Sequence, residues 1–258
     1  MKKLYIICHM MTSVDGRIDC AMTEHLPGVQ EYYDTLDSLQ TPSRVSGRVT
    51  AQLEMALAGT FQPTKQKSLG TESFSKAVDA EGYEIVMDTK GTLLWADDTD
   101  AERPLLIVTS EAVNREYLQY LDSQHISWIA CGKERIDLKR VCAILAEQFG
   151  VERMAVVGGG YINAGFLEAD LLDEVSILIG AGIDGRGGMA AVFCREQGSL
   201  ACLGRCTGSR QSAGDWRFQL FDRRFGKSDA RLSGKADGKP DSAAYRQNQF
   251  CTVGFLQA

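Results

Sequence analysis

The sequence predicts an α/β fold, a sheet with helices on both faces, and three observations carry that prediction. Short runs rich in Ile and Val recur along residues 1–193, several of them apolar throughout, as strands covered on both sides are. Longer stretches with apolar residues at helical spacing lie between them. One apolar run ends in three consecutive glycines, Gly158-Gly159-Gly160, and a helical segment follows at once. Strands alternating with helices imply a layered α/β architecture, whose ligands gather at the carboxyl ends of the strands.

The elements follow in order. Residues 4–10 read as the first strand. Met11-Thr12-Ser13-Val14-Asp15-Gly16-Arg17 comes next, an Asp-Gly turn flanked by hydroxyls that serves equally as a bare turn or as a binding loop. A helix is expected over 30–39 and another over 49–58. Before the second, Gly47 permits a tight entry and Arg48 offers a bidentate partner for phosphate. Thr50 and Glu54 share one face of that helix, although an ordinary helix start with a solvated arginine explains the same residues. Residues 60–82 read as a loop or insertion. Strands follow over 83–87 and 105–109, the latter ending in Thr109-Ser110, whose hydroxyls either cap the next helix or contact a nucleotide sugar or 2′-phosphate. A helix over 112–122 and a strand over 126–130 come next. The helix over 137–149 shows Leu138, Val141, Cys142, Leu145 and Phe149 on one side. A strand over 154–157, a helix over 161–167 and a strand over 174–179 complete the body.

Composition narrows the function. The chain has 258 residues, 44% of them hydrophobic and 24% charged, which are ordinary globular values. No apolar run approaches the length of a membrane span, and the N-terminus lacks the pattern of a signal peptide. The formal net charge is −6, unevenly spread. Residues 1–193 hold 17 Lys and Arg against 28 Asp and Glu, and an acidic body of that kind excludes general nucleic-acid binding. The 8 cysteines show no C-x-x-C pairing, and none of the 3 histidines has metal-ligand spacing, so no metal site is expected and free thiols in a cytoplasmic setting are.

The glycine triplet is the strongest local signal. Glycines at a strand-to-helix junction let the chain turn and let a ligand approach the backbone, and the helix start then aims N–H groups at an anion. The spacing is neither G-x-G-x-x-G nor a Walker loop, so by itself the triplet fits a structural turn as well as a phosphate site. No Ser/His/Asp nucleophile set is visible, which favours chemistry supplied by a cofactor.

The ordered set Thr12-Ser13-Val14-Asp15-Gly16-Arg17, Gly47-Arg48-Val49-Thr50, Thr109-Ser110, Gly158-Gly159-Gly160-Tyr161-Ile162-Asn163, Leu171-Leu172-Asp173-Glu174-Val175 and Gly182-Ile183-Asp184-Gly185-Arg186-Gly187-Gly188 resembles the reductase domain of riboflavin biosynthesis, in the dihydrofolate-reductase-like superfamily. The resemblance covers about residues 3–193 and implies one domain over 1–193 with a mixed central sheet, flanking helices and bound NADPH. It implies reduction of a ribosylaminopyrimidine phosphate to its ribitylamino form, with hydride delivered to the sugar carbon. By position, Gly158, Gly159, Gly160, Tyr161 and Ile162 wrap the pyrophosphate. Gly47, Arg48, Thr50 and Glu54 touch the cofactor from the second helix, and Thr109 and Ser110 touch its adenosine side. Met11 and Ser13 flank the nicotinamide, and Asp15 orients substrate or assists a proton transfer. Family members commonly form homodimers, which the resemblance extends to this chain. In the bacterial bifunctional enzymes a glutamate precedes the glycines and contacts substrate; here that position is Val157. Another small heterocycle as substrate, or an inactive nucleotide-binding protein, are the alternatives.

Residues 194–258 break from the rest. They contain no isoleucine, one valine and four of the 8 cysteines, and carry 11 Lys and Arg against 6 Asp and Glu. The composition predicts an atypical, poorly ordered tail, with residues 234–242 disordered and 216–221 able to form one strand.

Overall fold

The computed structural model describes residues 3–65, 67–194, 215–222 and 226–232. The chain opens with β1 (Tyr5–Thr12), α1 (Cys20–Thr23), α2 (Val29–Ser38), β2 (Ser43–Gly47) and α3 (Arg48–Glu54). It continues through β3 (Ser73–Ser75), β4 (Glu84–Met87), β5 (Leu105–Thr109), α4 (Arg115–Ser123) and β6 (Ser127–Ala130). Then come α5 (Leu138–Gln148), β7 (Arg153–Gly158), α6 (Gly160–Glu168), β8 (Glu174–Ile179), β9 (Asp215–Asp222) and β10 (Gly226–Leu232). The strands form one sheet in the order β10-β9-β8-β1-β7-β2-β4-β5-β6-β3. It is mixed: β3 runs antiparallel to β6 and β10 antiparallel to β9, while the other neighbours are parallel.

Over β4, β5 and β6 both faces of the sheet are packed, which is why β4 and β5 read as apolar runs. On one face Val45, Ile85, Leu106, Val108 and Val156 meet Val141 and Leu145 of α5 and Phe166 of α6. On the other, Val86, Ile107 and Trp128 meet Tyr117, Leu118 and Leu121 of α4. The helix starts follow capping chemistry. Asn114 accepts from Glu116 N at 2.9 Å, so α4 begins after it, later than its apolar spacing predicts. Asp137 caps α5 by accepting from Arg140 N. Each such cap is worth about 1 kcal/mol. Thr109 and Ser110 do not cap α4, whose N-cap is Asn114; their hydroxyls donate to Ile129 O and Thr89 O.

Three corrections matter for the site. The stretch before α3, for which the sequence predicts no strand, is β2, a central strand. Residues 60–82 contain β3 and cover the far edge of the sheet, where Arg140 forks onto Glu72 and Phe61 packs edge-on to Tyr117. Helix α3 stops at Glu54, and the chain turns so that Leu57 N bonds Leu94 O at 2.8 Å. In the tail, the expected strand at 216–221 lies within β9, beside β8, and β10 is a second strand that the composition does not announce. The expected disorder over 234–242, and most of the tail, lie outside the described residues.

Candidate functional site

β1, β7 and β2 lie side by side in the middle of the sheet, and their carboxyl ends meet at the glycine triplet. β7 ends in a conformation side chains rarely tolerate, with Gly158 at φ +129° and a cis peptide to Gly159. The β2–β7 register shifts between Val45 and Ser46, so that Ser46 comes opposite Gly158. Such irregularities re-aim side chains beside a site. α6 then starts at Gly160 with Gly159 as an N-cap that has no side chain to offer. The first N–H groups of the helix, at its positive dipole end, are thereby left for an outside acceptor.

The three glycines differ in what surrounds them. A Cβ on Gly160 would lie 2.3 Å from Ala191 O and 2.8 Å from Cys194 Sγ, so this glycine exists for packing. A Cβ on Gly159 would meet only Thr50 Oγ1, at 3.8 Å. On Gly158 it would meet Met10 Cε at 3.5 Å and Thr50 Oγ1 at 3.9 Å. The first two glycines therefore line open space, and the third anchors α6 against the segment around Ala191. Asn163 strengthens that anchor by donating to Val192 O at 2.7 Å.

A cavity of about 340 Å³ adjoins the cradle, between α2 and α3 over the face of β2 and β7. Met10, Met11 and Val157 form an apolar wall at the glycine end, and Tyr32 and Tyr33 of α2 form another side. Thr50 and Glu54 of α3 lean over it, and Arg44, Ser46 and Glu84 form its sheet-side floor. Glu84 is pushed up to about 6 by burial, which the nearby Arg103 and Arg44 only partly offset. Arg44 donates to Asp37 at 3.2 Å. Tyr32 is held by stacking on His9 at 4.5 Å. The His9 ring bonds Ser176 Oγ and Tyr32 O, and burial lowers its pKa to about 4, so it is a neutral structural imidazole at pH 7.

Of the residues singled out from the sequence, Met11, Thr50, Glu54, Gly158 and Gly159 line this cavity. Gly47 sits against α6, where a Cβ would lie 2.8 Å from Ile162 Cγ1; the two are packing partners that let α3 and α6 start close together. Arg48 is engaged with Gln52 on the outer face of α3, and Tyr161 is 65% exposed. Ser13 closes its own turn by accepting from Arg17 N and donating to Asp15. Asp15 is a clasp: besides Ser13 Oγ at 2.7 Å, it accepts Asp184 N and Gly185 N at 3.0 Å each. Those bonds, the Ser13 hydroxyl foremost, hold its carboxyl well below the usual range, so it is an anion that ties two loops and holds no proton to give. Thr109 and Ser110 stand at the end of β5, three strands from β7, roughly 14 Å away at normal strand spacing.

Sequence reasoning missed Tyr32, Tyr33, Arg44, Ser46 and Glu84. For Arg44 and Ser46 the signal is their i, i+2 spacing in Ser43-Arg44-Val45-Ser46, which becomes readable once β2 is known to be a strand; Tyr32, Tyr33 and Glu84 have no such signal. Among the described residues no group of three or more His, Cys, Asp or Glu is placed to hold a metal, and no helix is long and apolar enough to cross a membrane.

Fold and site together define an α/β protein of the dihydrofolate-reductase-like class, with an open glycine cradle beside a small cavity. Its sequence matches the family described as RibD C-terminal domain over residues 4–218, and the chain belongs to that family. Solved structures agree on the fold. A pyrimidine reductase-like protein from Corynebacterium diphtheriae superposes with a TM-score of 0.55 at 16% identity, covering 78% of this chain and 83% of that one. The riboflavin biosynthesis reductase Rib7 of Saccharomyces cerevisiae gives 0.51 at 18% identity, over 77% and 81% of the two chains. RibD from Acinetobacter baumannii gives 0.51 at 16%, over 78% of this chain and 52% of its own.

Proposed function

We propose that this chain is an NADPH-dependent reductase that converts a ribosylaminopyrimidine phosphate to its ribitylamino form. The observation that carries the reading is the open cradle: Gly158 and Gly159 face space bounded by Thr50 and Met10, directly beside the cavity. The residues present fit the cofactor. Backbone N–H groups at the start of α6 suit a pyrophosphate, and the Thr50 hydroxyl lies within reach of the same spot. The separation of Thr109 and Ser110 from the triplet suits the far end of an extended dinucleotide. When bound, the nicotinamide supplies the hydride. The protein's own part is to hold the two reactants in contact and to exclude water with Met10, Met11 and Val157. Asp15 contributes by fixing the loop after β1 that follows Met11.

A second reading, a reductase of the same fold acting on a different small heterocycle, is favoured by the cavity's charge. Glu24, Glu54 and Glu84 line it against Arg44, which is already paired with Asp37. That lining gives a substrate phosphate little to bind.

Titration of purified protein by intrinsic fluorescence tests the cofactor assignment. NADPH is expected to bind in the micromolar range and better than NADH; no binding of either nucleotide would reject it. Loss of NADPH absorbance with a phosphorylated ribosylaminopyrimidine, against unphosphorylated heterocycles, separates the two readings.

A further inference from the structure

The residues that the resemblance assigns to the adenosine side offer nothing to a 2′-phosphate, the one group that separates NADPH from NADH. Thr109 is 0% exposed and Ser110 1%, and their hydroxyls donate to Ile129 O and Thr89 O. Both hydroxyls are covered and engaged. A phosphate dianion calls for a cation at its own position.

The turn that receives the Ser110 hydroxyl is fixed from several sides. Asp88, 0% exposed, follows β4, and its carboxylate accepts Thr92 N at 2.6 Å and Leu93 N at 2.9 Å. Its carbonyl accepts Gly91 N at 2.9 Å. Gly91 stands at φ +67°, where a Cβ would lie 2.4 Å from Tyr117 Cδ1 of α4. Thr89 O accepts both the N–H and the hydroxyl of Ser110, at 3.0 Å each. Between Thr89 and Gly91 comes Lys90, exposed, with a side chain that bonds no described residue. A rigid backbone thus carries a cation without a partner of its own.

Its place fits the cofactor's path. Gly47 and Met87 are register partners, so the turn after β4 stands beside the start of α3. β4 lies two strands from the glycine triplet on β7, roughly 10 Å at normal strand spacing, and one strand short of Ser110. The adenosine ribose is the unit next to the pyrophosphate, so its 2′-phosphate comes before the adenine on that path. The other cations nearby are less well placed. Arg48 is drawn onto Gln52 at 2.9 Å, and Lys133 follows β6, four strands from β7.

We propose that Lys90, presented by the Asp88–Gly91 turn, sets the preference for NADPH over NADH by pairing its ammonium with the 2′-phosphate. The assignment rests on the reading of the cradle as a nicotinamide-dinucleotide site. It moves the discrimination from Ser110 to the turn that Ser110 braces.

Fluorescence titration of wild type, Lys90→Ala, Arg48→Ala and Lys133→Ala with NADPH and with NADH tests this. Lys90→Ala is expected to weaken NADPH about tenfold, the worth of one charge-assisted hydrogen bond, and to leave NADH unchanged. Lys133→Ala is expected to change neither, and Arg48→Ala to leave the ratio of the two affinities as it is. The Lys90 side chain bonds no described residue, so Lys90→Ala is expected to keep the wild-type melting temperature; a merely structural lysine would not shift one nucleotide and spare the other. Equal weakening of both nucleotides by Lys90→Ala, no weakening of either, or a loss of preference in Arg48→Ala or Lys133→Ala instead overturns the proposal. Equal binding of NADPH and NADH by wild type overturns it while the dinucleotide site stands. Binding of neither nucleotide is the distinct result that overturns the reductase reading and this assignment with it.

Discussion

Glu84 shows how burying one carboxylate at the cavity floor makes stability depend on pH. Burial raises its pKa from 4.5 to about 6, so above pH 6 the folded protein holds a carboxylate that the unfolded chain solvates better. The sign follows from proton counting. Between pH 4.5 and 6 the folded state binds the extra proton, so stability falls as pH rises across that window and stays lower above it. Glu84→Gln, neutral at every pH, is therefore expected to be more stable than wild type by about 2 kcal/mol at pH 7.5, with the gain gone by pH 4.5. Urea unfolding at both pH values measures this, and an equal effect at the two would refute the assignment. His9 runs the opposite way. Its pKa is depressed to about 4, so the unfolded state takes up a proton first as pH falls below 6.5, and the folded state loses stability from there down to pH 4. One group is buried at the cavity floor and the other behind Tyr32.

At the level of the element, the β7–α6 junction places two glycines on open space and one in tight packing within a single triplet. Gly159→Ala adds a methyl group that meets only Thr50 Oγ1, at 3.8 Å, and enters the open space proposed for the cofactor's pyrophosphate. Gly160→Ala drives a methyl group into Ala191 O at 2.3 Å. The first is expected to weaken NADPH binding by tenfold or more, on the order of one lost backbone hydrogen bond to a charged group, with little change in melting temperature. The second is expected to lower the melting temperature by several degrees, as overpacking costs about 1–3 kcal/mol. Fluorescence titration and thermal melts on the two variants decide it; a stable Gly160→Ala, or a Gly159→Ala that binds normally, would contradict the division. The same junction shows what the sequence makes legible. β5 and β8 are found at their predicted bounds, and most other elements within two or three residues, because apolar runs and Asn114- or Asp137-type caps are local signals. β2 was not legible. Its Arg44 and Ser46 face a cavity and not a core, so the strand lacks the apolar pattern that betrays the others. β3 has three residues and an edge position, too short for periodicity to register. The glycine triplet at a strand-to-helix junction was readable from the local sequence, whereas the Arg44–Glu84 pairing depends on the register of two strands 40 residues apart, which no local pattern encodes.

For the whole molecule, the question is what each sheet edge needs. β3 closes one side, blunted by its length and by its antiparallel pairing with β6. On the other side β8 pairs with β1 and carries β9 along its outer edge, from Glu174–Asp215 to Ile179–Leu220. The cradle does not depend on β9. It depends on the segment up to Cys194, through Cys194 N to Gly160 O, Asn163 Nδ2 to Val192 O and Arg17 Nη1 to Met189 O. Two truncations therefore separate the functions. A chain ending after Cys194 keeps every one of these contacts but leaves the β8 edge with a row of unpaired N–H and C=O groups, so it is expected to bind NADPH as the full chain does while self-associating through that edge. A chain ending after Gly187 loses the brace behind Gly160 as well, and is expected to bind NADPH more weakly and to melt lower. Light scattering coupled to size exclusion reads the association, and the fluorescence titration reads the site. If the shorter cut leaves NADPH affinity intact, the segment around Ala191 is not what seats α6; if the longer chain neither associates nor loses solubility, the β8 edge is protected by something other than β9.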